Sequence, residues 1–241
     1  MAKYLIHSVF YKALSSSESS IDKQYNILLE IIKDIKPIDP LFSQWYINNL
    51  DPDDIDLDDI ENIKPPLDYV VPRNKEKKYL LNSRKDNPLD SFLLWNGEID
   101  NSLYASVSLS VAKFSFNFGN ELKTDSFIKI FEIILKHLRC KYLYISNTFF
   151  MKNRVFDHRQ PVSPICYVPK ALEDKDLPYI YQKIEVNNSL NQGSILVFDQ
   201  NLFDESEQMK KKIQENSIAL VDLDLIPETE LSPDFFSEVE F

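Results

Sequence analysis

Glycine is almost missing from this chain: Gly97, Gly119 and Gly193 are the three in 241 residues. A phosphate-cradling loop, a dinucleotide-binding fingerprint and a β-barrel punctuated by glycine all need that residue where the backbone turns tightly or approaches a ligand. So small a supply makes each of them hard to build. With 44% hydrophobic and 27% charged residues, the chain is an ordinary globular sequence of ample length for its own core. The expectation is one α+β domain over 1–241, or two lobes sharing a core: a helical and irregular part at 1–90 and a sheet-rich part at 91–226. An acidic tail at 227–241 is expected to be loosely held.

Hydrophobic spacing supplies the elements. Residues 4–10 are rich in β-formers and predict a first strand. Ile21, Tyr25, Leu28, Leu29, Ile32 and Ile35 fall on one helical stripe that must stop before Pro37. Leu41, Phe42 and Trp45 then suggest a short helical turn packed on that helix. Ala105, Val107, Leu109 and Val111 alternate with serines, as in a strand with one buried face. Phe114, Phe116 and Phe118 alternate on the opposite parity, so a turn or bulge is expected near Ala112 and Lys113. Thr124 or Asp125 is the expected cap of a helix bearing Phe127, Phe131, Ile134, Leu135 and Leu138. Further strands are expected at 91–95, 142–145, 181–186 and 194–198. Residues 151–180 are expected to be mostly loop, with a polar surface helix at 205–215. Strand–helix–strand order with hairpins favours α+β with a mixed, mainly antiparallel sheet.

The net charge of −11 is unevenly placed. Asp51, Asp53, Asp54, Asp56, Asp58, Asp59 and Glu61 carry seven negative charges with no basic residue among them. Residues 222–240 add seven more, again without Lys or Arg, which leaves the rest of the chain at +3. Such a field repels phosphate backbones, which argues against direct nucleic-acid binding, and it attracts basic proteins. Residues 51–61, with Tyr46 beside them, are therefore the candidate partner-binding surface. The competing reading is a solvated acidic loop.

The chemical signatures in the chain are each incomplete. An EF-hand loop begun at Asp54 would need glycine at its sixth position and glutamate at its twelfth; Asp59 and Pro65 stand there. His7, His137 and His158 show no metal-protease spacing, and Cys140 and Cys166 form no CxxC-type pair, so ordinary reduced thiols are expected. His158, between Asp157 and Arg159, is the one histidine with a catalytic look, but adjacent residues rarely face each other as a catalytic pair must. His137 reads as a helix-end histidine. Gly193-Ser194 lacks the flanks of a nucleophile elbow. Asp68, Glu76 and Lys78 match a nuclease set in an irregular, proline-rich stretch where coincidence explains them better. No catalytic, cofactor-binding or metal-ligating residue is assigned, and no cofactor is expected. Trp45 and Trp95 read as core. No signal peptide or membrane-crossing stretch is apparent, so a cytoplasmic location is expected.

Several blocks resemble, in order, the immunity protein 52 family. Asp39-Pro40-Leu41-Phe42-Ser43-Gln44-Trp45-Tyr46 resembles that family's segment ending in Trp-Tyr. The alternating strand at 103–111 and the Phe-rich strand after it resemble its central sheet. Asn191-Gln192-Gly193-Ser194, Asn201-Leu202-Phe203-Asp204 and the helix at 205–215 resemble its final glycine, strand and helix. The family's Gly-Trp is replaced here around Ser163-Pro164-Ile165-Cys166, and Phe10-Tyr11-Lys12 stands where the family has tryptophan and arginine. The resemblance implies a bacterial cytoplasmic immunity protein that binds and blocks a cognate toxin, often a type VI secretion effector with a restriction-endonuclease-like nuclease domain. It implies no catalytic residues. The alternatives are an adaptor of another assembly and a hydrolytic enzyme using His158 with scattered carboxylates.

Overall fold

The computed structural model describes residues 4–15, 18–47, 91–96, 104–118 and 122–236. The acidic run 51–61, the basic and proline-rich stretch after it, Gly97 and the last five residues lie outside these.

Nine strands form one sheet in the order β2-β3-β4-β5-β1-β6-β7-β9-β8. They are β1 (Tyr4–Val9), β2 (Tyr46–Ile47), β3 (Ser91–Trp95), β4 (Ala105–Ser110), β5 (Phe114–Phe118), β6 (Tyr142–Ser146), β7 (Ile165–Val168), β8 (Gln182–Asn187) and β9 (Gln192–Val197). Every pairing among them is antiparallel. The helices are α1 (Glu18–Ile35), α2 (Thr124–His137), α3 (Thr148–Lys152) and α4 (Glu207–Asp222). The α+β class expected from the pattern is what forms, with no parallel pair among the described residues. The first strand lies in the middle of the sheet, between β5 and β6. Residues from before and after the long 48–90 segment therefore share one sheet and one core.

One face of the sheet is aromatic. Val107 lies opposite Phe116 and Ala105 opposite Phe118, while Ile6 lies opposite Phe116 on the other side of β5. Phe127 of α2 meets Phe118 with ring centroids 5.0 Å apart, and Phe42 meets Phe116 at 5.4 Å. Trp45 is buried, its indole N–H donating to the Phe42 carbonyl at 2.8 Å. The short 3-10 turn Pro40–Phe42 is capped by Asp39, whose carboxylate accepts from the Leu41 N–H.

Several expectations need correction. Thr124 and Asp125 do not cap α2: its N-cap is Lys123, without a side-chain bond, and the Thr124 hydroxyl instead donates to the Gln200 carbonyl at 2.6 Å. Residues 151–180 are mostly loop, as expected, but also hold the fully buried strand β7, which the spacing does not predict. The helix foreseen at 205–215 runs on to Asp222 and is no mere surface element, since Met209, Ile213, Asn216, Ser217 and Leu220 are buried. The serines of β4 are not all on a wet face. Ser110 is buried and closes the β4–β5 turn, its hydroxyl accepting from the N–H groups of Ala112 and Lys113. The tail is docked as far as Phe235, which is 4% exposed.

Candidate functional site

The described residues on either side of 48–90 belong to one strand pair. Tyr46 and Ile47 pair with Trp95 and Leu94, so the chain leaves the sheet at β2 and returns to it through β3, its hydrogen-bonded neighbour. β2 is the terminal strand of the sheet order. Rising about 3.4 Å per residue, β3 brings Ser91 within roughly 10 Å of the point beside Ile47. Ile47 and Ser91, the described residues that flank 48–90, thus lie at one rim of the sheet. Tyr46 belongs to that rim as a strand residue. Asp51, Asp53, Asp54, Asp56, Asp58, Asp59 and Glu61 lie outside the described residues.

His158 is exposed, and the neighbour that made it look catalytic is engaged elsewhere. The Asp157 carboxylate meets the Arg154 guanidinium at 3.2 Å. His158 uses its backbone carbonyl to accept from the Thr229 N–H at 2.9 Å, while its ring lies edge-on to Phe156. His137 is a clip between helices. Its Nε2 lies 2.8 Å from an Asp34 oxygen that Lys136 also reaches, at 2.7 Å. Hydrogen bonds from Lys136 and then His137 hold the Asp34 carboxyl below its ordinary range. Cys140 and Cys166 are both buried and free, and burial pushes the Cys166 thiol up to about 12. Among the described residues, no group of three or more His, Cys, Asp or Glu is placed to hold a metal ion. No helix among them is long and apolar enough to cross a membrane.

A second feature was not anticipated. A cleft of about 460 Å³ opens at one end of the sheet, where β1, the α2–β6 connection, β7 and the β8–β9 turn converge. Arg139 stands over the Tyr11 ring, its guanidinium carbon 4.9 Å from the centroid. The Tyr167 hydroxyl donates to the Gln192 carbonyl at 3.2 Å, and burial raises its pKa. Behind the cleft the β8–β9 turn is rigidly built. Asn188 Oδ1 accepts from the N–H groups of Leu190 and Asn191. The buried Asn191 amide donates to the Leu135 and Leu138 carbonyls at the end of α2, and its oxygen accepts from the Cys140 N–H. Gly193 lets the chain cross here: a Cβ would stand 2.1 Å from the Val168 carbonyl oxygen and 2.9 Å from the Lys170 nitrogen. Its scarcity-breaking presence has a steric reason and no connection with a nucleophile elbow. Sequence spacing could not reveal this cleft, because its walls come from four segments that meet only through the strand order.

No protein-family model matches the chain, and no curated protein matches it. The resemblance to the immunity protein 52 family rests on the residues named for it.

Proposed function

We propose that this chain is a binding protein of the bacterial cytoplasm that neutralises a cognate toxin of the nuclease type by engaging it through the acidic segment 51–61. The observation that supports the proposal is the position of the two strands that flank the stretch containing that segment. Ile47 and Ser91, the described residues on either side of 48–90, both belong to the terminal β2–β3 pair of the sheet, so the chain leaves and rejoins the fold at one rim. A nuclease must offer positive charge to phosphates, and a local run of seven carboxylates without a cation is its electrostatic complement. The order of sequence blocks shared with the immunity protein 52 family supports the same reading.

The test has two parts. Co-expression with the toxin encoded in the adjacent reading frame should restore growth, and purified protein should bind that toxin at a rate that falls steeply with salt. Reversing Asp53, Asp54, Asp56 and Asp58 to Lys should slow association by about tenfold or more and flatten the salt dependence. Rescue with an unchanged rate and unchanged salt slope would retain the immunity role and remove the acidic segment from it. Failure to bind or rescue against that toxin would remove the immunity role itself.

A further inference from the structure

We infer that the free edge of β8 is a self-association surface, on which a second copy of this chain pairs its own β8 antiparallel and continues the sheet. Among the described residues β8 ends the strand order, with β9 on one side and no strand on the other. An exposed edge is a template for another strand unless proline, a bulge, charge or shortness blunts it. The strand β2 at the opposite end is two residues long. β8 has six, no proline, and an unbroken register from Gln182 opposite Val197 to Asn187 opposite Gln192. Gln182, Lys183, Glu185 and Asn187 are exposed, as is Tyr181 just before them, at 54%. The one lysine of the strand is drawn aside, its Nζ donating to the Leu172 carbonyl at 2.7 Å and the Asp174 carboxylate at 2.8 Å.

The hydrogen-bond phase of the edge dictates how a partner strand must sit. The Asn188 N–H donates to the Asn191 carbonyl at 2.9 Å, so, counting back by twos, the backbone groups of Val186, Ile184 and Gln182 face β9. Those of Lys183, Glu185 and Asn187 face outward, and outward residues must pair with outward residues. In a two-fold antiparallel pair centred on Ile184, Lys183 of each copy lies opposite Glu185 of the other. Lys183 and Glu185 share one face of the strand, so their charges meet there, while Ile184 meets its twin on the other face. Glu185 forms no ion pair within the described chain. The Lys183 ammonium has three donors, two of them already used, and the third is left for Glu185 of the second copy. Centring the pair one residue either way sets Lys183 against Lys183 or Glu185 against Glu185, so charge selects the middle register. This self-complementarity favours a second copy over an unrelated strand. The joint lies at the far end of the strand order from β2 and β3, and it stands whether or not segment 51–61 meets a toxin.

Two strands meeting edge to edge make a contact at the low end of interface sizes, so a dissociation constant of about 10–100 µM is expected. Sedimentation velocity of the full-length protein from about 1 to about 300 µM should follow the monomer into a dimer and no further. Glu185→Lys, at an exposed position, sets like charges opposite each other and should weaken association about tenfold or more. Lys183→Glu should do the same, and an equal mixture of the two variants, in which opposite charges face again, should dimerise as the wild type does. Melting temperatures check that each variant is folded; should Lys183→Glu unfold, Glu185→Lys and the cross-links below decide alone. Ile184→Cys should cross-link to its twin under mild oxidation, because residues facing across such a pair lie about 4.5 Å apart. Gln182→Cys should not, since its twin would lie four positions away, roughly 13 Å along the strand. The native Cys140 and Cys166 are buried and do not interfere. A wild-type protein that stays monomeric throughout overturns the proposal. So does a dimer indifferent to Glu185→Lys, or equal cross-linking at the two cysteine positions.

Discussion

His7 shows how one side chain ties this sheet to pH. It sits on central strand β1, its Nδ1 3.2 Å from the Ser115 hydroxyl of β5 and its ring 5.5 Å from that of Tyr144 on β6. Burial, and then the positive charge of Lys113, lower its pKa from 6.5 to about 4. The unfolded imidazole binds its proton near 6.5 and the folded one near 4, so between those values the unfolded chain holds more protons. This contribution to stability is intact above the upper value and is lost as pH falls through the window. Its size is ~3 kcal/mol. Urea midpoints should therefore drop on going from about pH 7.5 to about pH 4.5. The drop should be clearly smaller in His7→Gln, which has no proton to gain. Equal losses in the two proteins would clear His7 of the effect.

Between elements, the decisive connection is one amide. The last carbonyls of a helix have no partner within it, and α2 has no glycine to turn back on itself. Asn191, delivered from the β8–β9 turn more than fifty residues later, donates to the Leu135 and Leu138 carbonyls at 2.6 and 2.8 Å and accepts from Cys140 at 3.0 Å. Replacing it by alanine strands buried polar groups and should cost about 2–3 kcal/mol. Asn191→Asp should cost more, since a carboxylate would face two carbonyl oxygens. Melting temperatures should follow that order, and hydrogen exchange at the Cys140 amide should accelerate in both variants. Matching wild-type exchange there would show that the cap does not hold this end of the helix. The same elements mark what the sequence could reveal. Period-2 runs such as Phe114, Phe116 and Phe118, and the 3.6-residue stripe of α2, are local signals, and both elements formed where they pointed. Strand β7 was missed because it is four residues long, lies among prolines and is buried on both faces, leaving no alternation to read. Thr124 was misread as a cap because its hydroxyl found a tertiary partner that no local pattern encodes. The cleft was illegible for the same reason, whereas the acidic segment stood out as soon as charge was counted along the chain.

At the scale of the molecule, the tail is a strap across chain regions far apart in sequence. A chain terminus is expected to hang loosely, yet the Phe235 carbonyl accepts from the Ala13 N–H at 3.0 Å and Asp234 meets Lys12. On its way there the strap meets the segment 158–160. The Gln160 N–H donates to the Pro227 carbonyl at 2.8 Å, and the Thr229 N–H to the His158 carbonyl at 2.9 Å. The Arg159 guanidinium donates to the Ile226 carbonyl at 2.8 Å. The exposed ion pairs in this stretch, such as Arg159 with Asp224, add little. Buried Phe235 and the paired backbone groups do most of the stabilising. Burying one phenylalanine is worth about 1.5–3 kcal/mol, and each recovered backbone bond adds roughly 1 kcal/mol. Truncation after Ile226 should therefore destabilise the protein by at least ~3 kcal/mol and deprotect the amides of Ala13, Gln160 and their neighbours. Truncation after Phe236 keeps every one of these contacts and serves as the reference. If the two truncated proteins share one urea midpoint, the strap contributes nothing and the tail is a passenger. If the shorter one alone unfolds early, an acidic terminus that reads as solvated sequence is instead the clasp between the start of the chain and its middle.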